Sequence, residues 1–156
     1  MSKKIALFGG SFDPPHEGHR AIARLLTRRQ DLDEVWILPV YKHPLGKKLG
    51  DFASRLKSCR TFFKELGSQV KVKDLEKRLG GSSLTIRLIR YLQKKHPAHQ
   101  FYFVMGEDAY RQRRQWKEFG SIQKKVELIV VPRGTHSPIP NISSTEIRKR
   151  IRNKKV

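Results

Sequence analysis

Two imidazoles three residues apart, His16 and His19, follow a pair of glycines, Gly9 and Gly10. Glycine lets a backbone approach a ligand closely. On a first helical turn, residues three apart share a face, so both rings can donate to phosphate oxygens. Ser11 and Phe12 fill the turn between glycines and histidines. The sequence offers His, Arg, Lys and backbone N–H groups but no convincing nucleophile–base pair. That chemistry suits binding and positioning phosphates.

The elements that would position these residues follow from apolar periodicity. Residues 5–8 form an apolar strand, and residues 20–29 a helix with Ile22, Leu25 and Leu26 at helical spacing. Strand, tight turn and helix mouth is where α/β sheets bind nucleotide phosphates, through exposed N–H groups and the helix dipole. Residues 33–39 form a buried strand ended by Pro39, and residues 41–48 a basic loop. Residues 51–66 read as a helix through Phe52, Leu56, Cys59, Phe63 and Leu66, with Asp51 as N-cap and Gly67 as stop. A short strand at 69–72 and a polar connection at 74–81 lead to a helix at 82–96, capped by Ser82 or Ser83. The strand at 100–105 delivers Gly106 and Asp108 to a ligand-binding edge. The strand at 126–131 delivers Arg133, well placed for phosphate. A loop at 135–140 precedes a helix at 142–151, where Ser143 and Glu146 have capping-box spacing. Alternating apolar strands and helices predict an α/β fold. It is one doubly wound, Rossmann-like domain over residues 1–156, with a parallel sheet of about five strands. The basic end, about 150–156, reads as a solvated tail or a polyanion-binding arm.

The 156 residues suit one domain with a real core. No run is long enough for a bilayer. The basic start leads straight into the glycines after a brief apolar run, unlike a signal peptide. The single cysteine, Cys59, cannot form an internal disulfide, which fits a cytoplasmic location. No Cys/His cluster has zinc spacing, so no protein-held metal is expected. There are 34 Lys+Arg against 14 Asp+Glu, a formal charge of +20. That excess is either an adaptation to anionic substrates or a surface for nucleic acid or another polyanion.

The stretch Gly-Gly-Ser-Phe-Asp-Pro-Pro-His-Glu-Gly-His, ending at His19, resembles the signature of the H-x-G-H nucleotidyltransferase superfamily. It is most similar to that of the nicotinate/nicotinamide mononucleotide adenylyltransferases. Ile142-Ser-Ser-Thr-Glu-Ile-Arg148 resembles that family's second phosphate-binding motif. The resemblance implies AMP transfer from ATP to a pyridine mononucleotide, with pyrophosphate released and Mg²⁺ arriving with ATP. It assigns catalysis to His16, His19 and Arg148. ATP and its phosphates would meet Gly9, Gly10, Ser11, Phe12, Lys47, Gly106, Asp108, Arg133, Ile142, Ser143, Ser144 and Thr145. Thr85, Trp116 and His43 match acceptor-side positions. Two departures stand out: His43 and Lys47 are four apart where the family's pair adjoins, and Ser83-Leu84 and Leu88 replace Ser-Tyr and a second Thr. Relatives also usually continue with further helix beyond this C-terminus.

For several of these residues a plainer role stands beside the functional one. Thr85 could bond its own helix backbone, Trp116 could fill core, and the 41–48 loop could simply be solvated. Two further functions compete. Phosphopantetheine adenylyltransferases resemble this chain in size, but their first motif commonly has Thr where His16 stands. A catalytically weak module of the same fold, binding RNA or another polyanion, would use the +20 charge.

Overall fold

The computed structural model describes residues 2–132. Five strands form one parallel sheet: β1 (Lys4–Gly10), β2 (Glu34–Pro39), β3 (Val70–Val72), β4 (Gln100–Gly106) and β5 (Glu127–Val131). Their order is β3-β2-β1-β4-β5, and every neighbouring pair is parallel. The helices are α1 (Glu17–Thr27), α2 (Phe52–Phe63), α3 (Leu75–Leu79), α4 (Thr85–Lys95), α5 (Glu107–Arg111) and α6 (Phe119–Lys125).

Alternate strand residues build two cores because successive side chains leave opposite faces of a strand. Ile5, Leu7, Trp36, Leu38, Phe101, Phe103 and Met105 pack with Leu75 of α3, Ile86, Leu88, Ile89 and Leu92 of α4, and Phe119 and Ile122 of α6. On the opposite face, Ala6, Phe8, Val35, Ile37, Tyr102 and Val104 meet Ala23 and Leu26 of α1 and Cys59 and Phe63 of α2. Both faces are covered, as a parallel sheet requires. The chain runs outward from β1 through β2 to β3, then crosses back to β4 on the other side of β1. That reversal opens a crevice beyond the carboxyl ends of β1 and β4, where open α/β sheets bind ligands.

The five-stranded parallel architecture agrees with the sequence. So do the Asp51 cap, whose carboxylate accepts from the Ser54 amide at 3.0 Å, and the fully buried Cys59. Four details differ. The connection at 74–81 contains α3, with Leu75 buried in the core. Helix α1 starts at Glu17, ahead of Arg20, because His16 caps it. Neither Ser82 nor Ser83 caps α4; its N-cap is Leu84, without a side-chain hydrogen bond. The Ser83 hydroxyl instead accepts from the amides of Tyr41 (2.9 Å) and Lys42 (3.3 Å). Finally, α5 and α6 occupy a stretch to which the sequence reading gave no helix. The helix expected at 142–151 and the basic tail lie outside the described residues.

At the sheet's far end, buried Glu34 accepts from Trp36 Nε1 at 2.9 Å and pairs with the ammonium groups of Lys3 and Lys71. Burial pushes the Glu34 carboxyl up, but the donated hydrogen bonds from Lys3, Trp36 and Lys71 outweigh it and hold the group down at about 2. A carboxyl depressed in the folded state contributes stability above its unfolded pKa, and that contribution is lost as pH falls through the folded value. Thermal melts should therefore lose stability between about pH 4.5 and pH 2. Glu34→Gln should flatten that part of the curve; an unchanged acid limb would remove Glu34 from the account.

Candidate active site

The glycine turn lies at the centre of the sheet. Gly9 and Gly10 remain part of β1, in register with Leu38 and Pro39, and Gly10 O accepts from the Val40 amide at 2.9 Å. At Gly9 the nearest atom to an added Cβ is Leu38 O at 3.8 Å, an ordinary contact. The fold itself therefore tolerates a methyl group on this exposed strand end. Gly9→Ala should leave the melting temperature within about 2 °C while raising KM for ATP. A variant with unchanged KM would show that no ligand approaches this backbone.

The histidines form a reciprocal cap. His16 is the N-cap of α1, and its Nδ1 accepts from the Gly18 amide at 3.1 Å. His19, at the third helical position, accepts on Nδ1 from the His16 amide at 3.0 Å. This is the logic of a capping box, built here from imidazoles. The rings stack with centroids 3.7 Å apart and planes 21° from parallel. With Nδ1 accepting, the proton of each neutral ring sits on Nε2. Burial, then the neighbouring His16, pushes the His19 pKa down to about 3. His19 is thus a neutral hydrogen-bond donor at ordinary pH.

Phe12 supports the pair from below. Its ring is 1 % exposed and lies edge-on to His19, with centroids 4.6 Å apart. It also packs edge-on to Phe8 and Phe63. The Phe12 side chain belongs to the core. Its φ of 47° places a buried non-glycine residue in the left-handed region, a cost the surrounding packing must offset.

The turn is braced by residues the sequence reading gave no chemistry. The Arg55 guanidinium of α2, 4 % exposed, donates to Gly50 O (2.8 Å), Ser11 O (3.0 Å) and Val40 O (2.8 Å). Asp13 accepts from the Gly50 amide at 3.0 Å. A signal was present: Arg55 falls three after Phe52 and four before Cys59, inside the apolar stripe of its helix. A charged residue there must find buried partners.

The remaining candidates are spread along the carboxyl edge and over one sheet face. His43 and exposed Lys47 share the loop after β2, where His43 Nδ1 accepts from the Leu45 amide at 3.2 Å. Partial burial, then the charge of Lys47, lowers the His43 pKa. Gly106 ends β4 and exposed Asp108 lies in the first turn of α5. Thr85 opens α4 half-buried, and among the described residues its hydroxyl bonds no backbone group. Half-buried Trp116 lies edge-on to Phe103 (5.8 Å) and Phe119 (6.3 Å), on the α4/α6 core. That is the sheet face opposite Phe12, so core filling is the role its packing displays. Arg133, Ile142, Ser143, Ser144, Thr145 and Arg148 lie outside the described residues.

A family signature described as cytidylyltransferase-like matches residues 7–150. The chain belongs to the cytidylyltransferase-like family. Among similar proteins of this family, the probable nicotinate-nucleotide adenylyltransferase of Anaeromyxobacter dehalogenans is 39 % identical, over 96 % of this chain and 84 % of its own length. The protein of the same name from Thermotoga maritima is 35 % identical, over 96 % of this chain and 82 % of its own. Among solved structures, Plasmodium falciparum nicotinic acid mononucleotide adenylyltransferase complexed with NaAD aligns with a TM-score of 0.77. It is 25 % identical and covers 94 % of this chain and 83 % of that one. In this cytidylyltransferase-like chain, the first motif therefore sits at the switch point that the sheet order independently marks as the ligand crevice. No helix among the described residues is long and apolar enough to cross a membrane.

Proposed function

We propose that this protein is an adenylyltransferase that transfers AMP from ATP to nicotinate mononucleotide, forming the deamido dinucleotide and releasing pyrophosphate. The observation that carries it is the stacked His16–His19 pair at the β1/β4 crevice, in a chain 39 % identical to a protein named for that reaction. The 5′-phosphate of the mononucleotide attacks the α-phosphorus of ATP. The new P–O bond forms as the bond to the pyrophosphate oxygen breaks. The attacking phosphate is already anionic near neutral pH, so no strong base is needed, and catalysis rests on positioning and charge stabilisation.

In this reading the Nε2–H groups of His16 and His19 face the transferring phosphate, with His19 closest to the reacting phosphorus. The backbone at Gly9, Gly10, Ser11 and Phe12 lines the same site. Lys47 neutralises phosphate charge, and Gly106 and Asp108 border the nucleotide. Thr85 and His43 stand on the acceptor side. Arg133, Ile142, Ser143, Ser144, Thr145 and Arg148 hold the departing pyrophosphate. ATP enters as its magnesium complex, the ion carried by phosphate oxygens and water. The chain acts as one nucleotidyltransferase domain over 1–156, in the cytoplasm.

Pyrophosphate release from Mg-ATP tests this, with nicotinate mononucleotide, nicotinamide mononucleotide and phosphopantetheine offered separately. Turnover is expected with the first. Turnover only with another acceptor would reassign the substrate. A second reading, polyanion binding, is favoured by the exposed Lys57 and Arg60 of α2 and Lys64 at its C-cap, which form no ion pair among the described residues. RNA binding that weakens steeply with salt, without turnover of any acceptor, would put that reading first.

A further inference from the structure

We infer that Arg55 is a positioning residue for the nucleotide phosphates, acting through the backbone of Ser11 and Phe12. The inference rests on the adenylyltransferase reading above and adds to it a residue remote from the reacting atoms.

The physical basis is the geometry of the peptide unit. A trans peptide holds its C=O and the following N–H antiparallel. Arg55 Nη1 fixes Ser11 O at 3.0 Å, so the Phe12 N–H must point away from Arg55. On the preceding peptide, Gly10 O is fixed by the Val40 amide at 2.9 Å, so the Ser11 N–H must point away from the end of β2. Among the described residues, neither amide donates to a protein acceptor. Two consecutive N–H groups, with Phe12 at positive φ, form the kind of concavity that binds anions. Arg55 sets their direction in advance. It also ties this turn to the carbonyls of Val40 and Gly50, at the two ends of the basic loop that holds His43 and Lys47. The Asp13 carboxylate closes the bracket, accepting from the Gly50 amide and facing Arg55. A Cβ at Gly50 would stand 2.8 Å from Asp13 Oδ1, so the bracket can be disturbed without removing any charge.

Two variants test this, Arg55→Lys and Gly50→Ala. Each is compared with wild type for ATP affinity by calorimetry, for kcat and both KM values, and for melting temperature. Lysine keeps the charge but cannot hold three carbonyls with one planar fork. Arg55→Lys should weaken ATP binding about tenfold and lower kcat/KM for ATP about 10²-fold, the scale of a misplaced reacting group. KM for the mononucleotide should stay within about threefold of wild type. Gly50→Ala should move the same quantities in the same direction, by less. If Arg55→Lys does not fold, Gly50→Ala decides alone. Folded variants that keep ATP affinity within about twofold and kcat within about threefold overturn the inference. So does a loss that appears only as a smaller active fraction with unchanged affinity and KM, because that is a purely stabilising role. If wild type binds ATP yet turns over no acceptor, the functional reading fails while ATP affinity still decides the role of Arg55. A wild type that does not bind ATP sinks both.

Discussion

His19→Ala should lower kcat by about 10²-fold or more, the scale of removing one preorganised donor to developing charge. The size follows from the state of the ring. His19 is held neutral with Nδ1 occupied by the His16 amide, and among the described residues its Nε2–H donates to no protein acceptor. Such a donor needs no reorganisation during the reaction. Because its pKa is near 3 in the free protein, the ring should add no limb near pH 6.5 to the profile of kcat/KM. His19→Asn separates two contributions, since its amide can accept from the His16 backbone and still donate. It should retain more of the melting temperature than alanine while remaining impaired in kcat. An alanine variant within about threefold of wild-type kcat would remove His19 from the reacting centre.

Phe12→Ala should have the largest effect on stability, about 3–5 kcal/mol by denaturant unfolding, as for other buried Phe→Ala changes. Phe12 is almost fully buried and touches Phe8, His19 and Phe63 with its ring edges or face. The cavity would open directly beneath His19. Activity should therefore fall in the fraction that remains folded, measured well below the melting temperature. Phe12→Leu, which fills most of the space, should recover much of the stability and less of the rate, because an aliphatic chain supports the imidazole less specifically. A loss below about 1 kcal/mol for Phe12→Ala would mean that the turn can collapse onto the space.

The sequence carried the sheet almost completely. Short apolar runs separated by amphipathic stretches can bury both faces in only one common way, and the glycine–histidine stretch fell at the end of the first strand. What it hid was set by contacts distant along the chain. Helix α3 has only Leu75 and Leu79 to mark it, too few for a periodic signal, and a five-residue helix depends on packing rather than propensity. Ser83 has the composition of a helix cap, but its hydroxyl is taken by amides about 42 residues away. His16 lacks the usual composition of a cap, yet its Nδ1 performs the role. The site's histidines were legible as a pair; their reciprocal hydrogen bonds were not, because a spacing of three does not fix ring orientation. Trp116 is the reverse case, an aromatic in a very polar stretch whose packing partners, Phe103 and Phe119, only the fold brings together.

The position of β1 also bears on how the protein comes to be folded. The strand that delivers the glycine turn is made before the other four described strands, yet it occupies the middle of the sheet. It pairs with β2 on one side and with β4 on the other, where the Lys3 amide meets His99 across 96 residues of chain. A growing chain can form the β1–α1–β2 half while β1 still lacks its second neighbour. The crevice between β1 and β4 then exists only after residue 100 has been made and the long loop has closed. Contacts of such separation slow folding because chain entropy is lost before they form. The nucleotide can thus help only at the last stage, by binding the docked form and drawing the equilibrium toward it.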